Sequence, residues 1–175
     1  MGIQASLTGH LVFSTLHTND APSSITRMID MGVPGYLVAS SVIAILAQRL
    51  IRTVCPKCKQ EFKPKETELR AAGISLESAA NAHFARGKGC ANCSRSGYRG
   101  RIGIHELMMV TPKVRELIFE SKSNQEIRTV AIEQGMKTLY RDGMEKCMAG
   151  ITTFDEIYRA AKRTEQDAEI SDVTP

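Results

Sequence analysis

His10-Leu11-Val12-Phe13-Ser14-Thr15-Leu16-His17-Thr18-Asn19-Asp20 runs from an apolar core into a polar tip, with a histidine at each end. Leu11 to Phe13 are apolar in succession, without alternation, which predicts a strand covered on both faces as in a parallel sheet. Asn19-Asp20-Ala21-Pro22 then supplies a capping side chain and a first-turn proline, the start of a helix. Ile25, Met28 and Ile29 follow at helical spacing to about Met31, where Gly32-Val33-Pro34-Gly35 stops the pattern. Strand, polar tip, helix is the unit from which an α/β fold is built.

Outward from this unit, the run from Tyr36 to Ile51 is apolar on nearly all sides and predicts a second, buried helix. From Arg52 to about Gly103 the chain turns rich in Cys, Lys, Gly and Arg, with helical periodicity only over Leu69 to Ala82. Ile102 to Leu107 reads as a short strand. Four helix starts follow, at Thr111-Pro112, at the capping-box pair Ser123 and Glu126, near Leu139, and at a second capping-box pair, Thr153 and Glu156. These helices predict a C-terminal bundle.

The 175 residues are enough for a real core, and 42% hydrophobic with 24% charged residues suits a globular chain. The net charge of +4 is unevenly spread. Six basic residues face one acid between Arg49 and Lys65, and five basic residues with no acid lie between Arg86 and Arg101. Glu165, Asp167, Glu169 and Asp172 make the end acidic, and the stretch from Thr164 is expected to be a solvated tail. The nearly apolar run Tyr36 to Ala47 is shorter than the ~20 residues of a bilayer span. Met1-Gly2-Ile3-Gln4 does not read as a signal peptide.

Cys55-Pro-Lys-Cys58 and Cys90-Ala-Asn-Cys93 are two Cys-x-x-Cys pairs separated by 31 residues. Each holds two thiolates on a tight turn, and two such turns complete a tetrahedral sulfur site for Zn²⁺. Lys57, Lys59, Lys88 and Arg95 would offset its residual negative charge. With four protein ligands the metal would be structural, leaving no open position for water. Free loop cysteines, a redox pair or an iron–sulfur cluster are the alternatives, although neither pair has the strand-then-helix context of a redox motif. His83 lies near Cys90, but four cysteines suffice without it. His105 reads as structural, and Cys147, on an apolar helix face, as packing.

On a strand, His10 and His17 would face opposite sides about 23 Å apart, so they would not share a metal. Ligands in an α/β sheet sit beyond the carboxyl ends of strands, where His17, Thr18, Asn19 and Asp20 would cluster to sense a phosphate or orient a water. No Gly-x-x-x-x-Gly-Lys-Ser/Thr cradle occurs in the chain.

Leu7 to Ala21 resembles the His box of the secretion ATPases that drive type II secretion and type IV pilus assembly. Leu46-Ala47-Gln48-Arg49-Leu50 running into Cys55 is similar to that family's Gln-Arg-Leu element. Cys90 to Cys93 followed by Gly97-Tyr98-Arg99-Gly100-Arg101-Ile102-Gly103-Ile104-His105-Glu106 resembles the segment closing its zinc module. The tetracysteine module favours the assembly and secretion branch over the retraction ATPases.

The resemblance implies an α/β fold: the C-terminal part of a RecA-like P-loop ATPase domain (1–51), an inserted zinc module (52–106), a helical domain (107–163) and an acidic tail (164–175). It implies that His17 and His10 belong to the catalytic box, His17 toward the γ-phosphate, with Thr18, Asn19, Asp20, Gln48 and Arg49 near the nucleotide. It further implies structural Zn²⁺, and ATP with Mg²⁺ in the parent protein. The parent would be a cytoplasmic hexamer, peripheral to the inner membrane and working against a membrane-platform protein. The P-loop, acidic box and Walker B carboxylate of the family precede the His box, so this chain is expected to be a C-terminal part, inactive alone. The rival readings are a nucleic-acid-binding zinc module, which the few aromatics and missing recognition helix disfavour, and a docking module for the platform protein.

Overall fold

A computed structural model of the chain describes residues 2–169. In chain order the elements are α1 (Gly2–Leu7), α2 (Ala21–Asp30), α3 (Gly35–Ser41), β1 (Ala44–Val54), β2 (Lys59–Glu61), α4 (Glu66–Ala72), α5 (Leu76–Ala80) and β3 (Ala85–Gly87). After a 3-10 turn at Ala91–Cys93 come β4 (Tyr98–Met109), α6 (Pro112–Phe119), α7 (Asn124–Glu133), α8 (Leu139–Met148), α9 (Phe154–Ala160) and α10 (Glu165–Glu169). The fold is mixed α/β. β1 pairs with β4, and β2 pairs antiparallel with β3. No helix among the described residues is long and apolar enough to cross a membrane.

These residues divide into two compact units. The first takes the chain through Ala47 together with Glu106–Lys137, and the second takes Gln48–His105 with the residues from Thr138 on. In the first unit α2 packs on α7 and α3 on α6. Ile25, Val38, Met108, Val114, Ile118 and Ile127 are buried at its centre. In the second, Phe84 meets Phe154 with ring centroids 5.4 Å apart, and Ile51, Leu69, Ile104, Met144 and Ile157 are buried. Val54 N–H donates to the Ile151 carbonyl at 2.8 Å, and the fully buried Thr152 hydroxyl donates to the Arg52 carbonyl at 2.8 Å. These bonds stitch the end of β1 to the loop between α8 and α9.

Several sequence expectations change here. The helix expected over Tyr36–Ile51 is instead α3 followed by β1. Val42 takes an extended conformation (φ −77°, ψ 128°), and Ile43, Ile45, Ile51, Thr53 and Val54 are β-branched, a composition that fits a pleated surface better than a helix. Nor is the run buried on all sides, since Leu46 and Leu50 are 59% and 60% exposed while Ala47 and Ile51 are buried. The strand expected at Leu11–Phe13 is irregular, with Leu11 72% and Phe13 88% exposed. An apolar run becomes a sheet strand only against hydrogen-bonding neighbours, and among the described residues no strand pairs with it.

The helix over Leu69–Ala82 is two short ones, broken at Gly73 in the left-handed region (φ 69°). All four C-terminal helices form, but the expected single bundle is divided, α6 and α7 falling in the first unit and α8 and α9 in the second. The capping box at Ser123 and Glu126 forms; the one at Thr153 and Glu156 does not. Thr153 bonds the Tyr98 hydroxyl at 2.8 Å, and Glu156 turns to Arg52. The tail expected from Thr164 begins as α10. Asp167 is buried, accepting from the Thr164 N–H at 2.7 Å and the Thr138 hydroxyl at 2.5 Å. Asp172 lies outside the described residues.

Candidate metal centre and polar tip

Cys55 and Cys58 follow the end of β1, and Cys90 and Cys93 bracket the 3-10 turn after β3. One Sγ from each lies within 4.8 Å of all the others. Cys55–Cys90 is 4.0 Å, and Cys58–Cys93 and Cys90–Cys93 are each 3.8 Å. Four thiolates at the usual Zn–S length of about 2.3 Å stand about 3.8 Å apart at the corners of a tetrahedron. Disulfides at about 2.05 Å are far from this spacing. The donor set and its geometry fit a metal ion such as zinc. His83 is exposed and outside the cluster.

Glycine makes this packing possible. Gly97, at φ 80°, has its N–H on Cys93 Sγ at 3.3 Å and its carbonyl on the Cys55 N–H at 2.9 Å. A Cβ on Gly87 would meet the Gly97 oxygen at 2.1 Å, so the two cysteine turns close only where side chains are absent.

The electrostatics of the four sulfurs are uneven. The N–H of Cys90, with Gly97 adding to it, lowers the Cys93 thiol to about 6. Burial pushes Cys58 up to about 12. Burial also opposes ionisation of Cys55, but the Asn92 amide, the Lys57 N–H and the adjoining thiols together outweigh it and lower that thiol. Four sulfurs this close do not all ionise unless a cation shares their charge. Lys57, Lys59, Lys88 and Arg95 are exposed around them. Cys147 is buried on α8 away from the cluster, and burial raises it to about 12, as a packing residue should be.

In the first unit, His10 and His17 are both exposed and lie on the irregular segment before α2. His10 Nδ1 is 3.0 Å from the Thr8 hydroxyl. The Thr18 and Ser24 hydroxyls are 2.7 Å apart, and Asn19 is exposed. Asp20 is the N-cap of α2, accepting from the Ser23 N–H at 2.8 Å. Two further residues fix this end of the tip. Glu106, 1% exposed, accepts from the Ala21 N–H at 2.8 Å, and Arg128 on α7 pairs with Asp20 at 2.9 Å and with Glu106 at 3.7 Å. Two carboxylates thus sit at the positive end of α2 with a guanidinium between them. Sequence reasoning did not single out Glu106 and Arg128 for this role. Glu106 carried a signal nonetheless: it occupies an inward position of β4 between Ile104 and Met108, where a carboxylate requires a partner.

Gln48 and Arg49 belong to the second unit, on β1, with Gln48 exposed and Arg49 half-buried. Gln48 shares the space over Gly103 with His105, since a Cβ there would lie 3.0 Å from Gln48 Nε2 and 2.6 Å from His105 Cε1. His105 donates its N–H to Asp142 at 2.8 Å, and Lys146 pairs with the same carboxylate oxygen.

A sequence model of the family described as "Type II/IV secretion system protein" matches residues 1–159. The type IV pilus assembly ATPase PilB of Thermus thermophilus is 46% identical over 154 residues, 88% of this chain and 17% of that protein. The type II secretion system protein E of Pseudomonas aeruginosa is 43% identical over 162 residues, 93% of this chain and 32% of that protein. Among solved structures, the pilus retraction motor PilT with bound ADP has a similar fold, with a TM-score of 0.59 at 20% identity, covering 94% of this chain and 36% of its own. The chain therefore spans less than a third of the length of these two relatives.

Proposed function

Since this chain belongs to the type II/IV secretion system protein family, we propose that it is the C-terminal portion of an ATPase powering type IV pilus assembly or type II secretion. The observation that carries this reading is identity of 46% and 43% to proteins with those two names, across nearly the whole chain. The parent would be a hexamer with a RecA-like P-loop domain, lying in the cytoplasm against an inner-membrane platform protein.

In this reading the chain brings one edge of a nucleotide site. His17 and His10 lie on the exposed segment, and Thr18, Asn19 and Asp20 lead into α2, whose N-terminus is held by Glu106 and Arg128. Gln48 and Arg49 belong to the second unit and would lie near nucleotide only in the assembled parent. The phosphate cradle and the Mg²⁺ ligands would come from other parts of the parent, because this sequence holds no Gly-x-x-x-x-Gly-Lys-Ser/Thr. The chain alone therefore hydrolyses no ATP. An assay of the purified chain with Mg²⁺ and ATP tests this: no release of phosphate above buffer is expected, and turnover proportional to chain concentration contradicts it.

Zinc, bound by Cys55, Cys58, Cys90 and Cys93, would hold the module folded and do no chemistry. A docking role for the module is compatible with its basic surface. Nucleic-acid binding fits less well. Phe84 is buried, and the Arg86 guanidinium lies 4.6 Å over Phe62 and that of Arg52 4.2 Å over Tyr98, so neither of these two rings offers that face to a base.

A further inference from the structure

Asn92 stands in the turn between Cys90 and Cys93, half-buried, and its side chain leaves that turn for the other cysteine pair. Its amide nitrogen donates to Cys55 Sγ at 3.5 Å. The donors on Cys93 Sγ are backbone N–H groups, those of Cys90 at 3.2 Å and Gly97 at 3.3 Å. Backbone donors come with the fold of the turn. A side-chain donor has to be held by something else.

Arg99, near the start of β4, holds it. Its Nη1 donates to Asn92 Oδ1 at 2.6 Å and to the Asn92 carbonyl at 2.5 Å. A guanidinium has donors and no acceptor, so the amide oxygen must face Arg99 and the NH₂ must face the sulfur. A flipped amide would set donor against donor on one side and acceptor against sulfur on the other. Arg99 is anchored in turn, its carbonyl accepting from the Thr53 hydroxyl at 2.6 Å. A chain of contacts thus runs from the paired strand ends through Arg99 and Asn92 to Cys55.

We propose that Asn92 is a positioning residue for the metal centre, oriented by Arg99, and that it sets how tightly Cys55 keeps its metal. The proposal rests on the reading of the four cysteines as a metal site. A four-thiolate zinc centre carries two net negative charges, and a donor on one sulfur spreads part of that charge. The donor also fixes the direction from which the sulfur meets the metal. Partners of this kind around metal ligands are typically worth 10–100-fold in affinity. Neither residue is itself a ligand; both act through Cys55.

The experiment uses the full chain loaded with Co²⁺ or Zn²⁺ and titrated with a competing chelator at neutral pH. Asn92→Ala keeps one metal per chain but binds it about 10–100-fold more weakly, and its sulfur-to-cobalt charge-transfer band shifts. Asn92→Asp keeps the size and the Arg99 contact but loses the donor, and it binds no better than Asn92→Ala. Arg99→Ala gives a smaller loss, and the double variant binds no more weakly than Asn92→Ala alone. Wild-type affinity with an unchanged band in Asn92→Ala overturns the proposal. So does an Arg99→Ala loss that adds in full to that of Asn92→Ala. Should Asn92→Ala fail to fold, Asn92→Asp against wild type makes the same comparison, and wild-type affinity there overturns the proposal. A wild-type chain that binds no metal removes the four-cysteine reading and this proposal with it, whereas metal-bound wild type with unaffected variants removes the proposal alone.

Discussion

Glu106 on β4 and Arg128 on α7 face each other at 3.7 Å, and the same guanidinium reaches Asp20, the N-cap of α2, at 2.9 Å. Three elements distant in sequence therefore meet at the end of the polar tip. Glu106 is 1% exposed and also accepts from the Ala21 N–H at 2.8 Å. Arg128→Ala takes a guanidinium from two carboxylates, one of them buried, and is expected to cost roughly 3 kcal/mol. Urea unfolding of the variant against wild type measures this, and amide exchange in α2 should accelerate with it.

A second buried carboxylate gives the chain a pH dependence. Arg52 donates to Glu156 from its side chain at 2.6 Å and from its N–H at 3.0 Å. The Arg52 bond, against the opposing effect of burial, holds the Glu156 carboxyl below its ordinary value. A lowered carboxyl stabilises the fold fully above the unfolded value of about 4.3 and loses that contribution as pH falls through the lower folded value. The denaturation midpoint of wild type should therefore exceed that of Glu156→Gln at pH 7, and the gap should close below about pH 4. A gap that persists unchanged into that acid range contradicts the assignment.

Gly97 takes φ 80°, and a Cβ there would meet the Gly87 oxygen at 2.7 Å. Gly97→Ala should destabilise the second unit by more than about 1 kcal/mol, since the backbone is strained and the turn must move. The same variant should weaken metal binding, because the Gly97 N–H lies on Cys93. Thermal unfolding with and without added zinc measures both effects.

Much of this was legible in the sequence, for local reasons. The two Cys-x-x-Cys pairs announced a four-sulfur cluster because each pair needs only its own turn. Asp20 and Pro22 marked the start of α2, and Ser123 with Glu126 marked α7, because capping is a contact between near neighbours. What failed depended on distant partners. Leu11 to Phe13 has the composition of a buried strand, but pairing is supplied by other segments. Tyr36 to Ile51 has the apolar length of a helix, and the β4 strand that pairs with its second half lies some fifty residues on. Arg128 looks like an ordinary surface charge until α2, α7 and β4 are brought together, and the inward position of Glu106 does not tell which partners it meets. Nothing in the Cys-x-x-Cys spacing marks Asn92, whose donation to Cys55 depends on Arg99 seven residues on.

One metal ion on the four cysteines is expected to hold the second unit folded. Metal analysis of the purified chain, with unfolding followed before and after chelation, tests it most directly. One zinc per chain is expected, with chelation abolishing cooperative unfolding of the second unit, and Cys93→Ser doing the same. A chain that carries no metal and yet unfolds cooperatively, unchanged by chelator, contradicts the account.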